Sequence, residues 1–431
     1  MDYDEFLNWL NSYSKFGIKL DLERIKYLCE KLKDPQNDYK TIHVAGTNGK
    51  GSISKYIGSI LISAGYKTGI YTSPHLERFS ERIIIDNKEI SDKDLIDISK
   101  KIKPIVSEMQ KKNINPTYFE IVTAISFLYF SIKKVDIAVI EVGLGGRFDA
   151  TNIINPMASV VSNISLEHCD RLGESIEKIS FEKAGIIKEK IPIISSAKNN
   201  SLKVIKKISS EKKSKLTIIN DKNWKRTSFN TKFQSFEISI FEKKYNVETN
   251  ILGKYQGENI AVSIATVLEL VDLGFKITKE NIIKGIAKTK NPGRMEILSN
   301  NPLILLDGAH NLEAIKKLKQ SLKKDFEYNR LILVLGILED KKYLEMLEEI
   351  IPICDKIITT KSKNKRSIDP FKLKKEIEYI DYKKPTVVMK TVEKAVLHAK
   401  QEAGIKDLIC FCGSLFLIGE ARAFFKELSL F

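Results

Sequence analysis

Cysteine is scarce in this chain. There are five in 431 residues (Cys29, Cys169, Cys354, Cys410 and Cys412), an odd number never spaced as C-x-x-C. That pattern argues against a disulfide framework or a zinc knuckle, and Cys410 and Cys412, in the run Leu408-Ile-Cys-Phe-Cys412, read as small buried residues of a strand. No apolar run approaches the roughly 18 residues that a membrane span needs. The beginning, Met-Asp-Tyr-Asp-Glu, lacks the basic and apolar regions of a secretion signal, so a cytoplasmic protein without a membrane partner is expected. Arginine is scarce too, at ten of the 71 basic residues. The lysines that make up the rest are spread along the chain, densest between about 200 and 245, with no compact basic arm. The net charge of +16 is therefore no argument for nucleic acid as a partner. Half of the arginines (Arg78, Arg82, Arg147, Arg171 and Arg294) lie in or beside the motifs below. Because guanidinium binds phosphate and carboxylate bidentately, that placement favours a small anionic ligand.

What is present is a globular composition, 43% apolar and 29% charged, on a chain too long for one ordinary core. Strands and helices alternate, which points to an α/β fold with parallel sheets covered by helices. Strands are expected over 66–71, 136–142 and 158–164, and helices over 118–132, 175–188 and 256–273. An antiparallel patch is expected over about 213–251. The breakers Asn291-Pro-Gly-Arg294 and Ser299-Asn-Asn-Pro302 look like an interdomain hinge. Beyond them a second alternating unit has strands over 303–307, 331–335, 356–360, 386–389 and 407–411. Two domains follow, 1–296 and 297–431, with a cleft between them and no internal repeat.

The most telling stretch is Thr41-Ile-His-Val-Ala-Gly-Thr-Asn-Gly-Lys-Gly-Ser52. It runs from an apolar strand through a glycine-rich turn into a helix on which Ile53, Ile57, Ile60 and Leu61 recur at helical spacing before Gly65. Backbone N–H groups at Gly46, Gly49 and Gly51 can line one concavity, and the helix adds its positive end. Lys50 supplies a charge for β/γ-phosphate oxygens, and the Ser52 hydroxyl can reach magnesium. The strict pattern G-x-x-x-x-G-K-[ST] fails, since residue 44 is valine and Gly51 separates Lys50 from Ser52. A structural glycine turn is the alternative.

Other candidates end strands. Glu141 opens Glu-Val-Gly-Leu-Gly-Gly-Arg-Phe-Asp-Ala-Thr-Asn152 after a buried strand, where ligands of open α/β sheets bind; a satisfied structural carboxylate is the alternative. His75, His168 and His310 each sit in a polar turn beyond an apolar strand, with Ser73 near the first, whereas His43 and His398 read as core or surface histidines. Lys183 lies on an amphipathic helix, either solvated and paired with Glu182 or Glu177, or placed in an unusual environment. Asp307 and His310 follow another strand; a helix N-cap by Asp307 or Asn311 is the alternative there.

Taken in order, these segments resemble the folylpolyglutamate synthase/dihydrofolate synthase family, the folate branch of the Mur ligases. The motifs are Val44–Ser52, Thr72-Ser-Pro-His-Leu76, Thr117-Tyr-Phe-Glu120, Glu141–Asn152, His168, Leu172-Gly173, Glu182-Lys-Ala-Gly-Ile186, Asn291-Pro-Gly-Arg294, Asp307-Gly-Ala-His-Asn311 and Cys412-Gly-Ser-Leu415. The resemblance implies a two-domain Mur ligase-like fold, with an N-terminal P-loop ATPase domain on a mainly parallel sheet and a smaller Rossmann-like C-terminal domain. It implies ATP held by Thr47, Asn48, Gly49, Lys50, Gly51 and Ser52, and two magnesium sites made by Ser52, Ser73, Glu141 and His168. Lys183 would be carbamylated, and Asn259, Arg294, Asp307 and His310 would close on ATP from the second domain. Thr117, Tyr118, Phe119, Glu120, Phe148, Asp149 and Ala150 would border the pterin pocket. Two positions depart from the family: Glu167 stands where aspartate usually precedes the histidine, and Tyr255-Gln256 replaces His-Gln ahead of Asn259.

The implied reaction is ATP-dependent ligation of L-glutamate to a folate or dihydropteroate carboxylate through an acyl phosphate, by a monomer whose partners are small molecules. The alternatives are a cell-wall Mur ligase acting on a UDP-muramoyl substrate, a nucleic-acid-stimulated P-loop ATPase and a non-catalytic folate carrier.

Overall fold

Short runs rich in isoleucine, valine and alanine form the central strands of the first sheet, and one edge strand is Lys-Glu. Its strands are β1 (Lys40–Ala45), β2 (Thr68–Tyr71), β3 (Ile83–Ile85), β4 (Lys88–Glu89), β5 (Ile137–Glu141), β6 (Ala158–Val161), β7 (Ile193–Ser195) and β8 (Leu216–Ile218). In this computed structural model, which describes residues 2–17 and 19–428, their order is β4-β3-β2-β5-β1-β6-β7-β8. The pairs from β2 through β8 are parallel, and β3 and β4 add an antiparallel edge. β5 and β6 are buried along their whole length, as central parallel strands covered on both faces must be. β1 and β6 are neighbours, and the chain runs from β1 to β2 on one side of the sheet and from β6 to β7 on the other, so the strand order reverses between them. The turn after β1 therefore opens where such sheets bind ligands.

Helices cover the sheet. Tyr118–Ile132 is apolar nearly all round and contributes Ile121, Val122, Ile125, Phe127 and Phe130 to a core shared with Phe6, Leu10, Ile98, Ile102 and Val106. The last five come from the helices Tyr3–Asn11 and Asp92–Lys111. The helix expected over 175–188 is shorter, Ile176–Ala184, because its C-cap is Gly185. The patch expected over 213–251 contains β8 and then a separate three-stranded sheet, β9 (Trp224–Phe229), β10 (Gln234–Ile240) and β11 (Lys243–Thr249), in the order β11-β10-β9.

The second sheet comprises β12 (Glu296–Asn300), β13 (Leu303–Leu306), β14 (Leu331–Leu335), β15 (Lys356–Thr359), β16 (Thr386–Val388) and β17 (Leu408–Cys412), in the order β12-β13-β17-β14-β15-β16. All its pairs are parallel except β12 with β13. Cys410 and Cys412 are free and buried on β17. The first compact unit runs to Lys225 and adds Glu237–Val247 and Gly257–Thr289; the second takes Arg226–Phe236, Glu248–Gln256 and the chain from Lys290. Relative to the division expected at 296/297, residues 290–296 thus belong to the second unit. The reason is β12: its antiparallel pairing with β13 builds half of the expected hinge into that sheet. Among the described residues no helix is long and apolar enough to cross a membrane.

Candidate active site

β1 ends at Ala45, and the helix Lys50–Ser63 begins five residues later. Two glycines make the connection possible. Gly46 has φ +141° and Gly49 φ +89°, and a Cβ would lie 1.8 Å from Ser162 Oγ at the first and 2.5 Å from Asn259 Oδ1 at the second. Both the backbone angle and the crowding demand glycine. Ile53 N–H donates to Gly49 O at 2.9 Å, so the amides of residues 49–52 lie ahead of that bond, at the helix end that attracts anions. The turn is pinned from the loop after β6. Thr47 N–H donates to Asn163 O at 2.8 Å, Asn48 N–H to Asn163 Oδ1 at 3.2 Å, and Ser162 Oγ–H to Asn48 O at 2.7 Å. Sequence inspection singles out neither Ser162 nor Asn163. Their position just past a buried strand is the signal that marks them.

One carbonyl gathers two lysines. Gly46 O accepts from Lys50 Nζ at 3.0 Å and from Lys183 Nζ at 2.8 Å, and Lys50 also donates to Thr47 O at 3.1 Å. Lys183 is only 4% exposed. Burial, with Lys50 adding, moves its amine from the ordinary 10.5 down to about 7, against the opposing pull of Glu167 and Asp149. The solvated alternative is overturned, since Glu182 pairs with Arg147 at 2.7 Å and Glu177 accepts from Asn200 at 2.8 Å.

Because the folded value is depressed, Lys183 contributes stability that is fully present above its ordinary 10.5 and is lost as pH falls through about 7. Lys183→Met is expected to flatten the rise in unfolding free energy across that window, as urea titrations at stepped pH would show. A slope equal to that of the unmodified protein would count against a depressed lysine.

Glu141 closes β5 and is buried. Its Oε2 accepts the Ser73 N–H at 3.3 Å and lies 3.5 Å from where a Cβ on Gly51 would be. Buried Ser52 is in the same helical turn as Gly51. Glu141, Ser73 and the helix start therefore converge. His168, in the left-handed region at φ +51°, has its Nε2 3.6 Å from Glu167 Oε1. Among the described residues no three His, Cys, Asp or Glu side chains gather as a metal cluster.

Of the residues implied for a pterin, Thr117 and Glu120 form a capping box for the helix Tyr118–Ile132. Thr117 N–H donates to Glu120 Oε2 at 2.6 Å, and Arg24 pairs with the same carboxylate at 3.1 Å. The Arg82 guanidinium carbon lies 5.8 Å from the Tyr118 ring centre and 5.9 Å from that of Phe79. Arg82 Nε–H donates to His75 Nδ1 at 2.8 Å. Burial, helped by Arg82, holds His75 down to about 3, so it is a neutral acceptor that orients Arg82. Phe119 faces Tyr71, with ring centres 6.2 Å apart. The Arg147 guanidinium lies 4.3 Å from the centre of the Phe148 ring. Ala150 packs into the core. Asp149 is buried and accepts N–H bonds from Leu144 at 2.8 Å and Thr151 at 3.0 Å.

In the second unit, Asp307 Oδ2 accepts from Met295 N–H and Oδ1 from Ala309 N–H, both at 2.9 Å. Burial raises its pKa, while Arg294 foremost and also those two amides and His310 oppose the rise. Asp307 is therefore not the helix cap. Asn311 is, accepting from Ala314 N–H at 2.9 Å ahead of Leu312–Lys324. His310 Nδ1 is 2.7 Å from Gly308 O. Arg294, Asp307 and His310 are thus neighbours. Asn259, expected to act from the second domain, lies instead in the first unit against Gly49. The reason is that the helix Gln256–Asp272, from Gly257 onwards, packs as part of that unit.

The family models for the Mur ligase middle domain and the Mur ligase glutamate ligase domain match residues 44–267 and 293–415. The dihydrofolate synthase/folylpolyglutamate synthase of Bacillus subtilis is 37% identical over 358 residues, covering 81% of this chain and 82% of the relative. The chain belongs to the folylpolyglutamate synthase/dihydrofolate synthase family of Mur ligases. Its members are ATP-dependent ligases that form amide bonds. The solved Mycobacterium tuberculosis folylpolyglutamate synthase complexed with ADP superposes with a TM-score of 0.91 at 28% identity, covering 98% of this chain and 99% of that one. E. coli FolC in complex with DHPP and ADP gives 0.89 at 27%, covering 100% and 99%. The fold is the Mur ligase fold, a mostly parallel N-terminal sheet and a C-terminal α/β domain whose sheet is mixed through β12. These folate-branch relatives match most of the chain, so the cell-wall alternative is not favoured.

Proposed function

We propose that this chain ligates L-glutamate to the carboxylate of folates, and of dihydropteroate, with ATP as the phosphoryl donor and without a nucleic-acid partner. The observation that carries this is the glycine turn at the head of Lys50–Ser63, with Lys50 and Lys183 on one carbonyl and Glu141 beside it. A triphosphate is bound by the amides of residues 49–52 together with Lys50, with Thr47 and Asn48 shaping the turn. The acceptor carboxylate oxygen attacks the γ-phosphorus as the bond to the β-phosphate oxygen breaks, giving an acyl phosphate and ADP. The glutamate amine then attacks the acyl carbon, phosphate leaves with the former carboxylate oxygen, and the nitrogen loses a proton. Carboxylate and triphosphate repel each other, and Lys50 offsets that repulsion.

The donor set supports magnesium, which takes hard oxygen ligands and shares them with substrate phosphates. Glu141 and Ser52 would hold one ion, and the oxygens of Ser73 and Glu141, with the His168 nitrogen as an unusual further ligand, a second; magnesium screens phosphate charge when bound. Lys183 is the residue for carbamylation. Its neutral amine forms an N–C bond to CO2 and loses a proton, leaving a carbamate anion. A pKa of about 7 makes that amine abundant near neutrality.

The test is coupled ADP release with ATP, magnesium, L-glutamate and either dihydropteroate or a reduced folate. Release that requires both glutamate and the pterin is expected. Release driven by a UDP-muramoyl substrate or by nucleic acid, and indifferent to pterin, would overturn the reading. With labelled bicarbonate, a carbonyl signal that disappears in Lys183→Arg supports the carbamate, and no such signal excludes it.

A further inference from the structure

His43 is fully buried in the middle of β1, opposite Ile140 of β5 and Ser159 of β6. Its Nε2 lies 2.8 Å from Thr151 Oγ1, and that hydroxyl lies 2.5 Å from Asp149 Oδ1. The same oxygen accepts Thr151 N–H at 3.0 Å, and Oδ2 accepts Leu144 N–H at 2.8 Å. The proton directions follow from the inventory of donors. A threonine hydroxyl has one hydrogen, and a carboxylate is acceptor-only when ionised, so that hydrogen goes to Asp149. Thr151 Oγ1 must then accept from the ring, which fixes His43 as the Nε2–H tautomer. Nδ1 is left as a bare lone pair, consistent with its being buried without a hydrogen-bond partner. The ring also stays neutral, because burial, with Lys188 adding, lowers its pKa to about 3.

The chain of bonds has a mechanical consequence. Asp149 ties Leu144 to Thr151, closing the loop that leads from Glu141 towards Phe148 and Ala150. His43 anchors that closure to the strand that, three residues later, becomes the glycine turn.

We propose that His43, acting through Thr151 and Asp149, is a positioning residue for the loop 143–151 and thereby sets affinity for the pterin acceptor. This rests on the folate-ligase reading above and on Phe148, Asp149 and Ala150 bordering the acceptor, as the family resemblance implies. The removed bond is buried and one step from a carboxylate, so the acceptor KM is expected to rise about ten-fold.

The experiment uses the full chain with His43→Phe, His43→Gln, Thr151→Val and Thr151→Ser. His43→Phe and Thr151→Val raise the acceptor KM about ten-fold, with the ATP KM and kcat within about two-fold. Gln and Ser, which retain the donor or the hydroxyl, restore it, and the double variant His43→Phe/Thr151→Val is no worse than either single one. In amide hydrogen exchange, residues 143–152 open faster in both disrupting variants than in the unmodified protein.

An unchanged acceptor KM in a folded Thr151→Val protein, or ATP and acceptor constants rising together, overturns the proposal. Should the unmodified protein turn over no pterin, the substrate reading fails and the exchange arm decides alone. Unchanged exchange over 143–152 overturns the positioning role, and faster exchange upholds it.

Discussion

Replacing Lys50 with alanine is expected to lower ligation by at least about 10²–10³-fold, the range seen when one charge-stabilising donor is removed from a reacting centre. The fold should survive. Gly46 O keeps its bond from Lys183 when the Lys50 bond is lost, and the helix Lys50–Ser63 is anchored by its buried Ile53, Ile57, Ile60 and Leu61. The stability change should stay within about 1–3 kcal/mol, the worth of the two hydrogen bonds that Lys50 gives to Gly46 O and Thr47 O. A second effect runs through the shared carbonyl. Lys50 helps depress Lys183, so its removal moves the Lys183 amine upward and makes the neutral form rarer at neutral pH. Coupled ADP release and a thermal melt on the same sample separate lost ligation from lost fold. Near-normal turnover in a folded Lys50→Ala protein would refute Lys50 as the phosphate-binding cation.

The other large effect is expected at Glu141. Glutamine has nearly the same shape, and its carbonyl can still accept the Ser73 N–H at the end of β5, so Glu141→Gln changes charge with little change in packing. A neutral amide is a poorer ligand for a hard cation than a carboxylate. The magnesium concentration for half-maximal rate should rise about 10–100-fold, with kcat falling as well. Removing a buried carboxylate leaves stability unchanged or raises it. Magnesium titrations at saturating ATP read the outcome. A requirement equal to that of the unmodified protein would place the metal elsewhere.

The sequence makes the first strand, turn and helix legible because each carries its own local signal: an apolar run, glycines where φ is positive, and isoleucines at helical spacing. The strands of the second sheet are legible for the same reason, to within a residue or two. β12 is not, because Ser299 and Asn300 are turn formers with Pro302 close behind, and only pairing with β13 makes a strand of those two. The burial of Lys183 leaves a faint trace. Ile179, Ser180, Lys183 and Ala184 are all buried, so the lysine lies on the apolar face, but spacing alone does not say that Gly46 O awaits it 137 positions away in the chain. The same distance problem hides Ser162 and Asn163, and it misplaces Asn259, whose unit depends on where its whole helix packs. The capping box of Thr117 and Glu120 is local and visible from spacing, yet the Arg24 partner is 96 positions away.

The central claim is that an acid bound beside the glycine turn is phosphorylated by ATP before glutamate reaches it. Ligation with an acceptor whose carboxylate carries a heavy-oxygen label tests this directly, by mass spectrometry of the released phosphate. One labelled oxygen per product should appear in inorganic phosphate, with none of it as labelled water. Phosphate free of label while the amide still forms would contradict the phosphorylated intermediate and the roles assigned to Lys50 and Glu141 in making it.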